Sequence, residues 1–170
     1  MNEGLERPRS ALVWVWLSAF VVAVDQLTKW FIASQFQLFE VLPIGPFLEI
    51  TRLHNTGAAF SLLAGAGGWQ RWFFVGLAGL IGPAIIWWLR TLPMRGHPWL
   101  TIGLALILGG AVGNGIDRVM IGHVVDFLHF HWGDHWFPAF NAADIAITTG
   151  AAMLIIDALV HTQRVKQAAS

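Results

Sequence analysis

The sequence predicts a mainly α membrane protein: four transmembrane helices, a small extramembrane β-sheet in the first outer loop, and a short helix or loop between helices 3 and 4. Three observations carry that expectation. The chain is 56% apolar and only 12% charged, with a mean hydropathy of +0.61, whereas soluble domains carry about 25% charged residues. Four apolar stretches approach the ~20 residues that cross a bilayer as a helix. Ten Trp and 12 Phe with no Tyr suit the aromatic belts of a membrane protein. The 170 residues read as a single integral-membrane domain, 1–170.

The first span covers 11–33. It follows a polar start with Arg7 and Arg9 and is interrupted only by Asp25, Gln26, Thr28 and Lys29. A basic start before an apolar run also describes a secretory signal peptide, but this run is too long and lacks a small-x-small cleavage site, so a retained helix is expected. The outer loop 34–68 differs. Phe36, Leu38, Val41, Leu42, Ile44, Phe47, Leu48 and Ile50 alternate with polar residues and the breakers Pro43, Gly45 and Pro46, which reads as strands. The second span, 72–89, opens after Trp69-Gln70-Arg71. Its Gly76, Gly79 and Gly82 favour close helix packing, and Pro83 a kink. The third, 99–116, carries Gly109-x-x-x-Gly113, a small-residue packing face. A second outer loop, 118–140, is polar and aromatic, and the fourth span, 142–160, precedes a basic tail.

Net charge is formally zero, which argues against a nucleic-acid partner. The absence of cysteine excludes disulfides, thiolate metal sites, a cysteine nucleophile and lipidation on cysteine. Arg7, Arg9, Arg90, Arg95, Arg164 and Lys166 fall on one side of a four-helix layout. The positive-inside rule places that side, with both termini, in the cytoplasm. Both loops then face outward.

Candidate chemistry gathers at that outer boundary. Asp25 and Lys29, four apart, share a helix face; they either neutralise one another or shape a site. Asn55-Thr56-Gly57 is ordinary turn chemistry, or an amide offered to a peptide where Gly57 permits close approach. Gly113-Asn114-Gly115-Ile116-Asp117-Arg118 ends the third span. Asp117 and Arg118 fit a solvated helix terminus, but an amide at Asn114 near the boundary needs a partner. Asn141-Ala142-Ala143-Asp144 resembles a capping box.

Asp126 and Asp144 are the sharper pair. Two carboxylates within about 3 Å share one proton, so one takes a proton from water while the other polarises or protonates a scissile amide. Which is base and which is acid is open, because a coupled pair titrates as a unit. A competing zinc protease would use Asp126, His129, His131, Asp134 and His135, although no His-Glu-x-x-His motif is present. A third class is a small carrier with Asp25, Lys29 and Asp144 as a polar relay.

Five motifs then match one family in order. They are Asp25-Gln26-Leu27-Thr28-Lys29, Asn55-Thr56-Gly57-Ala58-Ala59-Phe60, Gly113-Asn114-x-x-Asp117-Arg118, Val125-Asp126-Phe127 and Phe137-Pro138-Ala139-Phe140-Asn141-x-Ala143-Asp144. The chain resembles the lipoprotein signal peptidases (signal peptidase II). The resemblance implies an intramembrane-type aspartic endopeptidase of the bacterial inner membrane, with its catalytic dyad on Asp126 and Asp144. Its substrate would be a prolipoprotein, cut before a cysteine already carrying diacylglycerol. Asn55, Gly57, Asn114, Arg118 and Asn141, with Asp25 and Lys29, become substrate-contacting or site-shaping residues. The resemblance further implies inhibition by globomycin, no metal and no organic cofactor. The His129–His135 stretch between the two Asp motifs receives no role from it.

Overall fold

The computed structural model describes residues 10–57, 63, 65–94 and 96–168, with side chains as far as His161. Ala58, Ala59 and Phe60 of the second motif, and Arg7, Arg9 and Arg95, lie outside the described residues, as do the side chains of Arg164 and Lys166. Four helices are long and apolar enough to cross a membrane. A 3-10 turn (Ala11–Trp14) leads into α1 (Val15–Gln35), followed by α2 (Trp69–Thr91), α3 (Pro98–Met120) and α4 (Ala142–Ala168). Each runs beyond the span expected from hydropathy. The overrun in α3 matters most, because it places Asp117 and Arg118 inside a helix rather than in a loop. They remain helical because both find partners within the protein.

α3 is central and packs on α1, α2 and α4. Glycines explain how closely. A Cβ built on Gly109 would meet Val21 Cβ at 2.7 Å and the Ser18 carbonyl oxygen at 2.9 Å, and one on Gly113 would meet Asp25 Oδ2 at 2.5 Å. The Gly109-x-x-x-Gly113 face therefore seats α1. Gly103 and Gly110 seat α4, where Gly150 returns the contact to the Gly103 carbonyl oxygen. In α2 the expectation of close packing at three glycines is corrected: among the described residues only Gly82 has a neighbour, Leu108 at 3.6 Å, and nothing lies within 4 Å of a Cβ on Gly76 or Gly79. Pro83 sits within a helix that continues on either side of it.

All tryptophans except Trp14 are exposed. They cluster at the helix ends and on the sheet, as an aromatic belt requires.

The sheet has four antiparallel strands in the order β1 (Val41–Pro43), β2 (Leu48–Asn55), β3 (Val124–Trp132), β4 (His135–Trp136). The first loop supplies β1 and β2, as expected. The other half comes from the segment between α3 and α4, where a short helix or loop was expected. That segment is β-branched and aromatic (Val124, Val125, Phe127, Phe130), a composition that pairs as strand when an edge is available. β2 provides the edge. Leu48–Ile50 pair with Phe130–Leu128 and Leu53–Asn55 with Asp126–Val124; between Ile50 and Leu53 β2 carries one extra residue, a bulge that re-aims its far end.

Candidate active site

Turns and hydrogen bonds bring the described residues of the five motifs to one end of the bundle. β3 leaves α3 through a turn at Gly122, whose φ of 84° is a left-handed conformation that glycine adopts without strain. Phe140 then folds back on β3: the Phe127 and Leu128 amides donate to the Phe140 carbonyl oxygen at 3.0 and 2.9 Å, and the Phe140 amide donates to Leu128. This return sets the start of α4 beside Asp126. There Asn141 and Asp144 form the expected capping box. The Asp144 amide donates to Asn141 Oδ1 at 3.0 Å, and the Asn141 amide donates to Asp144 Oδ2 at 3.2 Å. Asp25, reaching across from α1, accepts the Ala143 amide at 2.9 Å, satisfying another free donor of the helix terminus.

Asn141, fully buried, links the two carboxylates. Its side-chain amide donates to Asp126 Oδ1 at 2.7 Å and to Asn114 Oδ1 at 3.2 Å. Asn55 donates to the other Asp126 oxygen at 3.0 Å, and Asn114 donates to Asp144 Oδ1 at 2.8 Å. Behind them Lys29 Nζ donates to Asn114 Oδ1 and Asp25 Oδ2 at 2.8 Å each and lies 3.0 Å from Asp117 Oδ2. Lys29 thereby fixes which end of the Asn114 amide faces Asp144. Arg118 donates to the Gly57 carbonyl oxygen at 2.7 Å, tying the first outer loop to α3, and the Gly57 amide donates to Asn55 Oδ1 at 2.9 Å. All nine candidate residues thus belong to one connected set.

Asp126 and Asp144 line a cavity of about 550 Å³ with Asn55, Asn114 and Arg118. Its other walls are mostly apolar, from Val124, Phe137–Phe140, Ile145 and Ile147, with Thr148 and Thr149 adding hydroxyls on the α4 flank. Burial, reinforced by the charge on Asp144, pushes the Asp126 carboxyl from 3.8 up to about 7, against the lowering pull of Asn55 and Asn141. A carboxyl poised there both gains and loses its proton near neutral pH.

Two residues escaped the sequence analysis. Asp117 is not solvated: it accepts from Gln26 Nε2 at 2.9 Å and from the Val125 amide at 3.3 Å, and it flanks Lys29. Gln26 also donates to Asp25 and to the Gly113 carbonyl oxygen. The signal was present, since Asp117 lies three residues after Asn114 on one helix face.

The histidine cluster does not assemble. His129 and His131 alternate with Asp126 along β3, so their side chains leave the opposite face; His131 stacks on Trp136, His129 meets the same ring at a tilt, and both approach Glu49, at 3.9 Å from His129 and 4.0 Å from His131. Among the described residues no group of three His, Asp or Glu is set to hold a metal ion. A separate pair, His54 and His123, stacks with centroids 3.7 Å apart. Burial lowers both from their ordinary value, helped at His54 by His123 and Arg52 and opposed at His123 by Asp117.

Fold and site together define a multi-pass membrane protein with a carboxylate-bearing cavity at one end of its helix bundle. A family model described as signal peptidase (SPase) II matches residues 17–160. A lipoprotein signal peptidase of Acinetobacter baumannii is 49% identical over 146 residues, covering 86% of this chain and 82% of the relative, and one of Acinetobacter baylyi is 47% identical over 158 residues, covering 92% and 88%. A bacterial membrane enzyme solved by the in meso method superposes with a TM-score of 0.79 at 32% identity, covering 89% of this chain and 90% of the other. The chain belongs to the signal peptidase II family, and it is a peptidase.

Proposed function

We propose that this peptidase is of the aspartic type and removes the signal peptide from diacylglyceryl-modified prolipoproteins, cutting before the lipidated cysteine, with Asp126 and Asp144 as its catalytic pair. The observation that carries the proposal is the bridge through Asn141, which holds the two carboxylates in one half-apolar cavity. In this proposal Asp144, at the positive end of α4 and accepting one backbone and one side-chain N–H, takes the base's role. Asp126, with its raised pKa, carries the shared proton. A water between them loses a proton to Asp144 while its oxygen bonds to the scissile carbonyl carbon. The Asp126 proton moves to the carbonyl oxygen. Collapse of the gem-diol returns one hydroxyl proton to Asp126 and breaks the C–N bond, as Asp144 delivers the proton it took from water to the leaving nitrogen.

In this scheme the substrate, anchored by its signal helix and its lipid, arrives within the bilayer and meets polar groups only at one boundary. The protein would sit in the bacterial inner membrane with both termini cytoplasmic and the cavity at the outer face. The cavity's mix of amide donors and apolar wall suits a lipidated peptide, and inhibition by the cyclic peptide globomycin is expected.

The test is purified protein with a diacylglyceryl-modified precursor. Asp126→Asn and Asp144→Asn should each abolish cleavage while leaving insertion intact, and a strong chelator should leave the parent rate unchanged. Near-normal cleavage by either variant would refute the dyad.

A further inference from the structure

We propose that a groove on the face of β3 opposite the carboxylate cavity holds one acyl chain of a bilayer glycerolipid, a resident molecule distinct from the substrate. The groove, about 530 Å³, lies between the site end of α1 and the sheet. Leu27, Phe31 and Phe36 form one wall, and Leu42, Ile50 and Phe127 the other. Among the described residues Thr28 is the sole polar one lining it, and its hydroxyl is turned back on its own helix, donating to the Val24 and Asp25 carbonyl oxygens at 2.8 and 2.9 Å. The surface offered to an occupant is therefore hydrocarbon throughout.

Depth and continuity identify the occupant. From Leu27 to Phe36 the helix rises about 13.5 Å at ~1.5 Å per residue, close to the ~15 Å of hydrocarbon in one leaflet of a ~30 Å core. Leu27 and Phe31 are exposed on the flank where α1 meets lipid, so the groove continues the bilayer-facing surface up under the sheet. A chain entering it from the adjacent leaflet covers apolar wall that would otherwise be left wet.

The sheet also excludes the substrate's own lipid, a step that rests on the function proposed above. Neighbouring residues Asp126 and Phe127 point to opposite faces of β3, one into the cavity and the other into the groove, and the two spaces share no lining residue. Acyl chains carried by the cysteine whose nitrogen leaves start on the Asp126 side.

The experiment uses the intact protein in vesicles of phosphatidylethanolamine and phosphatidylglycerol, with a trace of phosphatidylethanolamine carrying a diazirine at one acyl terminus. No precursor is present, so its outcome is independent of the peptidase assignment. After illumination, Leu27 and Phe31 should be labelled several-fold more than Phe20 and Leu80, which are about as exposed. Leu42→Trp, or the milder Leu42→Phe, should lower groove labelling several-fold and leave Phe20 unchanged. Equal labelling at all four positions would reduce the groove to ordinary lipid contact. In a separate arm a diazirine-bearing diacylglyceryl precursor replaces the labelled phosphatidylethanolamine, and groove labelling seen only in that arm would assign it to the substrate. Either result overturns the proposal.

Discussion

Asn141 donates its side-chain amide to Asp126 and Asn114 and its backbone amide to Asp144, so groups from α3, β3 and α4 are referred to one buried side chain. The energetic consequence falls on Asp126. An unfolded chain releases this proton near 3.8, whereas the folded protein retains it to about 7. Between those values the unfolded state binds fewer protons, so stability falls as pH rises and the loss is complete above about 7. Asp126→Asn escapes that loss. Its melting temperature relative to the parent should climb with pH across this window and then level off, as read by thermal unfolding in detergent, and a difference that stays flat with pH would contradict the assignment. Lys29 invites a second prediction. It is buried between Asp25 and Asp117, and removing one member of a buried ion pair costs about 3–5 kcal/mol. Lys29→Met should lower the melting temperature and the activity together. Adding Asp117→Asn should recover stability without recovering activity, because the Asn114 amide has lost the contact that orients it. The sequence made the two carboxylates and the amides around them legible through motif types. It hid Asp117, because an Asp-Arg pair at a helix end is as typical of a solvated terminus as of a buried one.

At the scale of elements, the helices were legible because each needs only its own apolar run. The second half of the sheet was not, because β3 becomes a strand by pairing with β2, some 70 residues upstream (Asp126 opposite Leu53), and periodicity within 124–132 carries no record of that partner. The glycines of α2 misled for a similar reason: composition permits close packing, and only the arrangement of neighbours decides whether it occurs. In α3 it does occur. A Cβ at Gly110 would overlap the Ala143 carbonyl oxygen and sit 2.7 Å from Ile147 Cγ1. Gly110→Val should push α4 away and break the 2.8 Å bond from Asn114 to Asp144. Cleavage should fall by a factor of 10 or more, about 1.4 kcal/mol of barrier, while the protein still inserts. Gly79→Val, placed where nothing lies within 4 Å, should cleave at the parent rate. Equal effects of the two would mean that general helix destabilisation, not the α3–α4 seam, governs the site.

Across the whole molecule, the structure changes how the cations are counted. On the cavity side Lys29 is buried with Asp25 and Asp117, Arg52 donates to the Ala33 and Phe36 carbonyl oxygens at the end of α1, Arg71 donates to Val119 at the end of α3, and Arg118 donates to Gly57. Each is engaged by the protein and neutralises a carboxylate or caps a carbonyl. At the other end lies Arg90, in the last turn of α2, and the sequence adds Arg7, Arg9, Arg95, Arg164 and Lys166. The proposed orientation, with cytoplasmic termini and an outward-facing cavity, rests on that bias in the sequence. The chain has no cysteine, so a single introduced thiol reports its own side of the membrane. Ser34→Cys, exposed at the cavity end of α1, and Thr91→Cys, exposed at the opposite end of α2, are the informative positions. In intact spheroplasts a membrane-impermeant maleimide should label Ser34→Cys directly and Thr91→Cys only after permeabilisation. The reverse pattern would turn the cavity toward the cytoplasm, and the proposed cleavage of exported precursors would fail with it.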